Sequence, residues 1–341
     1  MPACRQAGKL KIDNWKLERM RHIPVLLKEV LQVLDPKNGE VVLDATFGGG
    51  GHAQALLEAI GPKGFLFGLD ADAQNIARQR AKFEAGNVKI AAGNFADLNR
   101  IASFNGWPGF DIVLFDLGLS SGQLDDPARG FSFQKSGLLD MRLDQKNQTV
   151  TARSLVNALT EAELAQTFKE YGEEKNAKRI ARAIVARRAL HPLNNTDELF
   201  DLIKVSLPAP VRFKAGDAAR RIFQALRIKV NDELTVLTKG LAAGFEVLNA
   251  GGRLAVISFH SLEDRIVKVY FKELARGCVC PPEFPVCICG HEAQAKILTP
   301  DAKTASAAEQ KENPRSKSAK LRAIVNACIK YENAICLEIF L

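Results

Sequence analysis

A chain of 341 residues can bury a substantial core, and 47% hydrophobic with 25% charged residues is ordinary for a globular protein. The formal charge of +8 fits a polyanionic partner, although solubility alone also accounts for such an excess. No apolar run reaches the length of a bilayer span, the N-terminus lacks an apolar signal core, and four of the seven cysteines crowd between 278 and 289. That pattern argues against a membrane protein or a secreted disulfide framework, and the expected compartment is the cytoplasm.

Residues 1–19 read as a polar, flexible leader. His22 to Leu31 reads as a short helix entered through Pro24, with Val25, Leu26, Glu29 and Val30 at helical spacing and a sheet edge to cover. Val41 to Asp44 is an apolar run ending in a carboxylate, as in a buried parallel strand. Four glycines, Gly48 to Gly51, and a helix from Ala53 follow, completing the front half of a nucleotide-binding βαβ unit. A backbone without Cβ turns tightly there and lets a ligand lie against it.

Gly64 to Asp70 is a second strand ending in an acid. Asp70 stands where such folds place the carboxylate that takes ribose hydroxyls; a helix N-cap is the simpler role, but Asp72 can supply that. Val88 to Phe95 is a third strand, whose Asn94 and Phe95 reach the rim where an adenine ring needs an apolar wall. Phe110 to Asp116 is a fourth, and Gly251 to His260 a fifth, after a helix from Glu233 to Leu248. Alternating strands and helices predict an α/β fold with a mostly parallel sheet and ligands at the strands' carboxyl ends. Asp44, Asp70, Phe95, Asp116 and His260 all fall on that rim.

From about Gln123 to Arg221 the pattern is helical, with a capping box at Thr160 to Glu163. Lys175, Lys178, Arg179 and Arg182 lie opposite the apolar face of a helix over 174–188. Arg212, Lys214, Arg220, Arg221, Arg227 and Lys229 form a second basic group with only Asp217 against it. Two such groups flanking an insertion favour a phosphate-binding surface over a solvated face.

Cys278, Cys280, Cys287 and Cys289 form two C-x-C pairs across a proline-rich connector. The usual zinc spacing is C-x₂-C, so four reduced thiols in a turn is the preferred reading and no metal is assigned. Residues 299–313 read as a linker, and 313–322 as a basic segment that either touches RNA or is solvated. Residues 335–341 read as a packed apolar end.

Two cofactor classes fit the glycine turn. A nicotinamide dinucleotide needs its pyrophosphate at a helix N-terminus, generally with G-x-G-x-x-G spacing, which Phe47 to His52 lacks. S-adenosylmethionine has no phosphate and carries a sulfonium and an ammonium, which a carboxylate such as Asp44 suits. The turn therefore favours a methyltransferase over a dehydrogenase.

The blocks His22–Leu27, Asp44–His52, Asp116–Asp125, Arg129–Phe133, Tyr171–Glu174, Phe223–Ile228 and Ser258–Arg265 together resemble the bacterial 16S rRNA cytosine-N4 methyltransferase family, in order and from about His22 to Arg322. The resemblance implies a class I S-adenosylmethionine-dependent methyltransferase fold, Rossmann-like, with an inserted all-helical domain for substrate recognition. It places the methyltransferase domain at 20–121 and 222–330 and the insert at 122–221; the C-terminal extension at 331–341, like the leader, falls outside the resemblance. It implies N4 methylation of a cytidine in the decoding centre of 16S rRNA, with the small ribosomal subunit as partner.

By motif it puts the S-adenosylmethionine contacts on Gly50, Gly51, His52, Asp70, Phe95, Asp116 and Gln123. Ala45, Gly49 and Gly122 stand where the family commonly has Gly, Arg and Pro; loss of the Arg removes one polar contact.

An exocyclic amine is a poor nucleophile, because its lone pair is delocalised into the ring. It needs in-line placement and an acceptor for its hydrogens. Asp116 is the first candidate and His260 the second, against a structural histidine at the latter. The Asn/Asp/Ser-Pro-Pro-aromatic motif of DNA amino-methyltransferases is absent, so DNA is not the expected substrate. The competing readings are a methyltransferase for another nucleic acid or small substrate, and a non-catalytic RNA-binding assembly factor.

Overall fold

The computed structural model describes residues 24–327 apart from 84, 85, 282 and 285. The leader at 1–19, the residues His22 and Ile23, and the extension at 331–341 lie outside the described residues.

Strands β1 (Val41–Asp44), β2 (Phe65–Asp70), β3 (Val88–Ala92), β4 (Phe110–Asp116) and β5 (Leu248–Ser258) pair in parallel in the order β3-β2-β1-β4-β5. Successive side chains on a strand point to opposite faces, and both faces of this sheet are covered. Val42, Ile112 and Leu114 enter one core with Leu27, Val30, Leu31 and Leu34 of helix α1 (Leu27–Leu34). Leu43, Val113 and Phe115 enter the other. This two-sided burial is why the strands read as nearly continuous apolar runs.

Helix α1 starts later than its periodicity suggests. Leu26 adopts a left-handed conformation (φ 55°), and its N–H donates to the Glu309 carboxylate at 2.7 Å. Helices α2 (Gly51–Ile60), α3 (Ala73–Phe83) and α4 (Leu98–Phe104) complete the first three crossovers, and a short turn of helix, α5 (Ser121–Asp125), follows β4.

The insert builds a core of its own. Helices α6 (Ala152–Ala158), α7 (Glu161–Glu170), α8 (Ala177–Arg188), α9 (Thr196–Ser206) and α10 (Ala215–Asn231) bury Val156, Leu164, Phe168, Ile180, Ile184, Leu199, Ile203, Ile222 and Leu226 against one another. The capping box at Thr160 and Glu163 forms as its sequence predicts. This core extends to Val230, so the boundary read at 221 falls inside α10. Helix α11 (Glu233–Glu246) then returns the chain to the sheet, entered through Asp232 in the left-handed region.

The C-terminal third differs most from expectation. Helix α12 (Ser261–Leu274) leads through a loop to β6 (Ala295–Ile297), β7 (Lys303–Thr304), α13 (Ala307–Glu312) and β8 (Lys320–Asn326). Strand β8 lies antiparallel between β5 and β6. The supposed linker at 299–313 is ordered structure: the Thr299 hydroxyl is buried and accepts the Ala323 N–H at 2.8 Å, and Ser306 caps α13.

The supposed basic segment is a 3₁₀ turn, Pro314–Ser318, that runs into the start of β8. Lys320 and Arg322 on one face of β8 both bind Asp264, while Leu321 and Ala323 on the other are buried.

Candidate active site

A cavity of about 1360 Å³ opens at the carboxyl ends of β1, β2 and β4. The glycine turn forms one wall. A Cβ on Gly50 would lie 2.5 Å from the Phe83 ring, and its φ of +74° suits only glycine; a Cβ on Gly51 would lie 2.6 Å from the Pro24 ring. Gly51 lines the cavity, whereas Gly50 serves the packing beneath it. Gly48 and Gly49 also line the wall, and the Gly48 N–H donates to Asp70 at 2.7 Å.

Asp70 also accepts the Asp72 N–H at 2.7 Å and the Asn75 amide at 3.2 Å. Burial drives its pKa up to about 6 despite those donors, which favour the carboxylate. Phe95 supplies an apolar wall, with its ring edge-on to Phe115 at 5.3 Å. Helix α11 passes close by because Gly240 has no side chain; a Cβ there would lie 2.2 Å from the Phe95 ring.

Asp44 is placed differently from expectation. It was set against the cofactor's cation, but it is 2% exposed, lies behind the wall and accepts the Thr46 N–H at 3.2 Å. Burial pushes its pKa up to about 7, with Asp116 and Asp70 adding to the shift and His52 opposing it. The carboxylate that does face the cavity from the next strand is Asp116.

The Asp116 backbone N–H donates to Thr46 Oγ1 at 2.6 Å. Its Oδ2 lies 3.3 Å from His52 Nδ1, and its Oδ1 is buried with no hydrogen-bond partner among the described residues. His52 is 5% exposed, and its Nε2 lies 2.9 Å from the Val25 carbonyl oxygen. Burial opposes charge on the ring, but the bond to Asp116 and the Asp116 and Asp44 charges win, so its pKa is raised.

Gln123 lines the cavity from the start of α5. Its Oε1 accepts the Ser120 N–H and its Nε2 donates to Asp72 at 3.0 Å. Asp72 in turn binds Arg129 Nη1 at 2.5 Å, with both side chains 5% exposed. Arg129 also donates to the carbonyls of Arg142 and Leu143, tying the rim to the insert. This buried pair has no isolated signal in the sequence, because its partners are 57 residues apart.

His260 does not line the cavity. It is the N-cap of α12: its Nδ1 accepts the Glu263 N–H, and its Nε2 lies 3.1 Å from the Glu263 carboxylate. Glu263 and Glu233 do line the cavity, and neither was singled out in the sequence. Arg315 reaches the cavity mouth, bonded to Ser121 and 3.7 Å from Asp125.

The basic groups divide. Lys178, Arg179 and Arg182 are exposed on α8 as expected, and Lys175 is exposed in the turn just before it, since the helix starts at Ala177; Arg179 donates to the Ser206 carbonyl and Arg182 lies 3.5 Å from Glu161. In the second group Asp217 is not the sole counter-charge. Arg221 binds the buried Glu174 at 2.5 Å, and Arg227 makes a two-point pair with Glu233 at 2.7 and 2.8 Å. Arg212, Lys214, Arg220 and Lys229 are exposed.

The parallel order with one antiparallel strand inserted next to its far edge, and the glycine turn and acid-ended strands around one cavity, define a class I methyltransferase fold. The chain belongs to the MraW methylase family, whose model matches residues 19–327. It is 49% identical over 306 residues to ribosomal RNA small subunit methyltransferase H of Heliobacterium modesticaldum, covering 89% of this chain and 97% of that one. It is 51% identical over 304 residues to the protein of the same name from Thermomicrobium roseum, covering 89% and 92%. A crystal structure of a putative rRNA-methylase from Clostridium thermocellum aligns at 12% identity and a TM-score of 0.41, covering 89% of this chain and 99% of that one.

Proposed function

We propose that this protein is an S-adenosylmethionine-dependent methyltransferase of the small-subunit ribosomal RNA, acting in the cytoplasm on the exocyclic N4 amine of a cytidine. The observation that carries this reading is Asp116. One carboxylate oxygen is held near His52, and the other is buried at the cavity without a hydrogen-bond partner among the described residues. An unpartnered carboxylate oxygen in a partly dry site suits a cation or an amine N–H and is costly without one.

S-adenosylmethionine, when bound, supplies an electrophilic methyl on a sulfonium. The residues around it fit its chemistry: Asp70 for ribose hydroxyls, Phe95 for the adenine face, and Gly51 and its neighbours for close backbone approach. His52 and Gln123 belong to this proposed site by holding Asp116 and Asp72 in place; Gly50 belongs to it by letting the turn pack down on Phe83. Asp116 accepts a hydrogen from the amine as charge develops on nitrogen. His260 acts as a positioning residue for Glu263, not as a group that touches the reacting atoms.

Support for ribosomal RNA comes from the similarity to small-subunit ribosomal RNA methyltransferases and from the exposed basic face of α8. Cytosine N4 as the target rests on the motif blocks. The test is labelled cofactor mixed with small subunits lacking the modification, followed by digestion to nucleosides. Label in N4-methylcytidine is the expected result; label in another nucleoside, or none in rRNA, overturns the reading. Asp70→Ala should abolish cofactor binding in calorimetry, and unchanged affinity removes Asp70 from the ribose role.

A further inference from the structure

Between α12 and β6 the chain makes a long excursion whose base is closed by the Gln294 N–H on the Leu274 carbonyl at 2.8 Å. Its described residues from 275 to 294 form no helix or strand, and none of them is buried. Val286 and Ile288 are 70% and 75% exposed. A segment with no core of its own has little to hold it in one conformation, and small units of this kind generally depend on a disulfide or a metal.

The loop brings its two C-x-C arms face to face. The four Sγ atoms of Cys278, Cys280, Cys287 and Cys289 all lie within 4.8 Å of one another. Two of the separations are 3.6 Å (Cys287 to Cys289) and 3.8 Å (Cys289 to Cys278). Those are far longer than a disulfide bond of about 2.05 Å. They match the edge of a zinc tetrathiolate tetrahedron, about 3.8 Å for zinc–sulfur bonds of about 2.3 Å.

The backbone around the sulfurs is arranged for thiolates. Cys289 Sγ accepts the N–H groups of Val279 and His291, Cys280 Sγ that of Ile288, and Cys278 Sγ that of Cys280. Gly290, at φ +59°, turns the chain so that the His291 N–H comes back onto Cys289. Donors aimed at sulfur favour the anionic form that a metal requires.

We propose that Cys278, Cys280, Cys287 and Cys289 bind one zinc ion, which organises the loop between α12 and β6. Four soft ligands in a closed tetrahedral set leave no open position, so the site is structural. It differs from the more familiar C-x₂-C arrangement in having one residue between the thiols of each arm, so sequence spacing alone does not indicate it.

The full chain, purified without a histidine tag, should contain one zinc per chain by elemental analysis. Replacing that zinc with cobalt(II) should give the thiolate charge-transfer and intense d–d bands of tetrahedral cobalt. The double variant C280S/C287S should lose the metal, and proteolysis within 275–294 should speed up about tenfold or more. If that variant fails to fold, stripping the native protein with a chelator and reloading it with cobalt gives the same spectroscopic readout. Metal-free reduced thiols, cobalt bands absent on reloading, iron in place of zinc, or two disulfides found by mass spectrometry would each overturn the proposal.

Discussion

His52 Nδ1 stands 3.3 Å from Asp116 Oδ2, while His52 Nε2 is 2.9 Å from the Val25 carbonyl oxygen. With an acceptor at each nitrogen, the ring satisfies both contacts only as an imidazolium. The glycine turn thus rests on a buried cation that holds the catalytic candidate on β4 in register with the start of α2.

A histidine whose pKa is raised by folding stabilises the native state fully below its unfolded value of about 6.5, and that contribution fades as pH rises through the higher folded value. His52→Gln keeps a donor for Val25 but removes the charge. Urea unfolding across pH 5 to 9 should show the gap between native protein and variant widest at the acidic end. A gap that does not change with pH would rule out the ionic role.

Asp44 has its pKa raised by burial to about 7, so the folded state holds this proton more tightly than the unfolded state does. The linkage runs opposite to that of a salt-bridged acid: stability falls as pH rises from about 4 toward 7 and stays lower above it. Asp44→Asn should therefore stabilise the protein by about 1–3 kcal/mol at pH 8 and by little at pH 4. Thermal unfolding at the two pH values checks this, and a loss of stability at pH 8 would contradict it.

Asp72 and Arg129 form a buried pair with further donors and acceptors on both sides. Arg129→Ala leaves the Asp72 charge stranded and should cost about 3–5 kcal/mol. Asp72→Asn with Arg129→Met should recover much of that loss, as removal of both charges often does. Chemical unfolding of the single and double variants measures it. The hydrogen bond and charge of Arg129 hold the Asp72 pKa below the usual range against burial, so the pair's contribution is lost only as pH falls through that depressed value.

On the exposed face of α8, Arg182 makes only a surface pair with Glu161, worth little to stability. Arg179→Ala with Arg182→Ala should weaken rRNA binding and reduce the slope of log affinity against log salt by about 1–2, with cofactor affinity intact. Filter binding over a range of salt concentrations decides it. An unaltered slope would return that face to ordinary solvated surface.

The parallel half of the sheet is legible in the sequence because its central strands β1, β2 and β4 are nearly continuous apolar runs that each end in an acid at one rim. The helical insert is legible from its caps and its 3.6-residue period. The antiparallel part is not: β8 carries Lys320 and Arg322, whose shared partner Asp264 lies on α12 more than fifty residues away. Alternating basic residues there read as a solvated segment until Asp264 is placed beside them. For the same reason Arg221 and Arg227 read as free cations, since Glu174 and Glu233 become their partners only once α10 has packed. At the site, Asp44 and Asp116 look equivalent in sequence. Which of two strand-end acids faces the cavity depends on where each strand stops, which periodicity does not encode.

Strand β8 also sets the order in which the molecule can be finished during synthesis. Among the described residues, β6 pairs within the sheet only with β8, and the β5 edge beyond β4 is covered only by β8. A nascent chain that has emerged only as far as residue 319 therefore carries an open sheet edge and an unpaired β6, the kind of surface that recruits other chains. Closing it requires a pairing between residues some seventy positions apart, such as Leu254 with Ile324, a long loop closure of the kind that slows folding. Among the described residues, the methyltransferase sheet is thus completed by a strand that follows closely on Arg315, the last of the cavity's residues to be made.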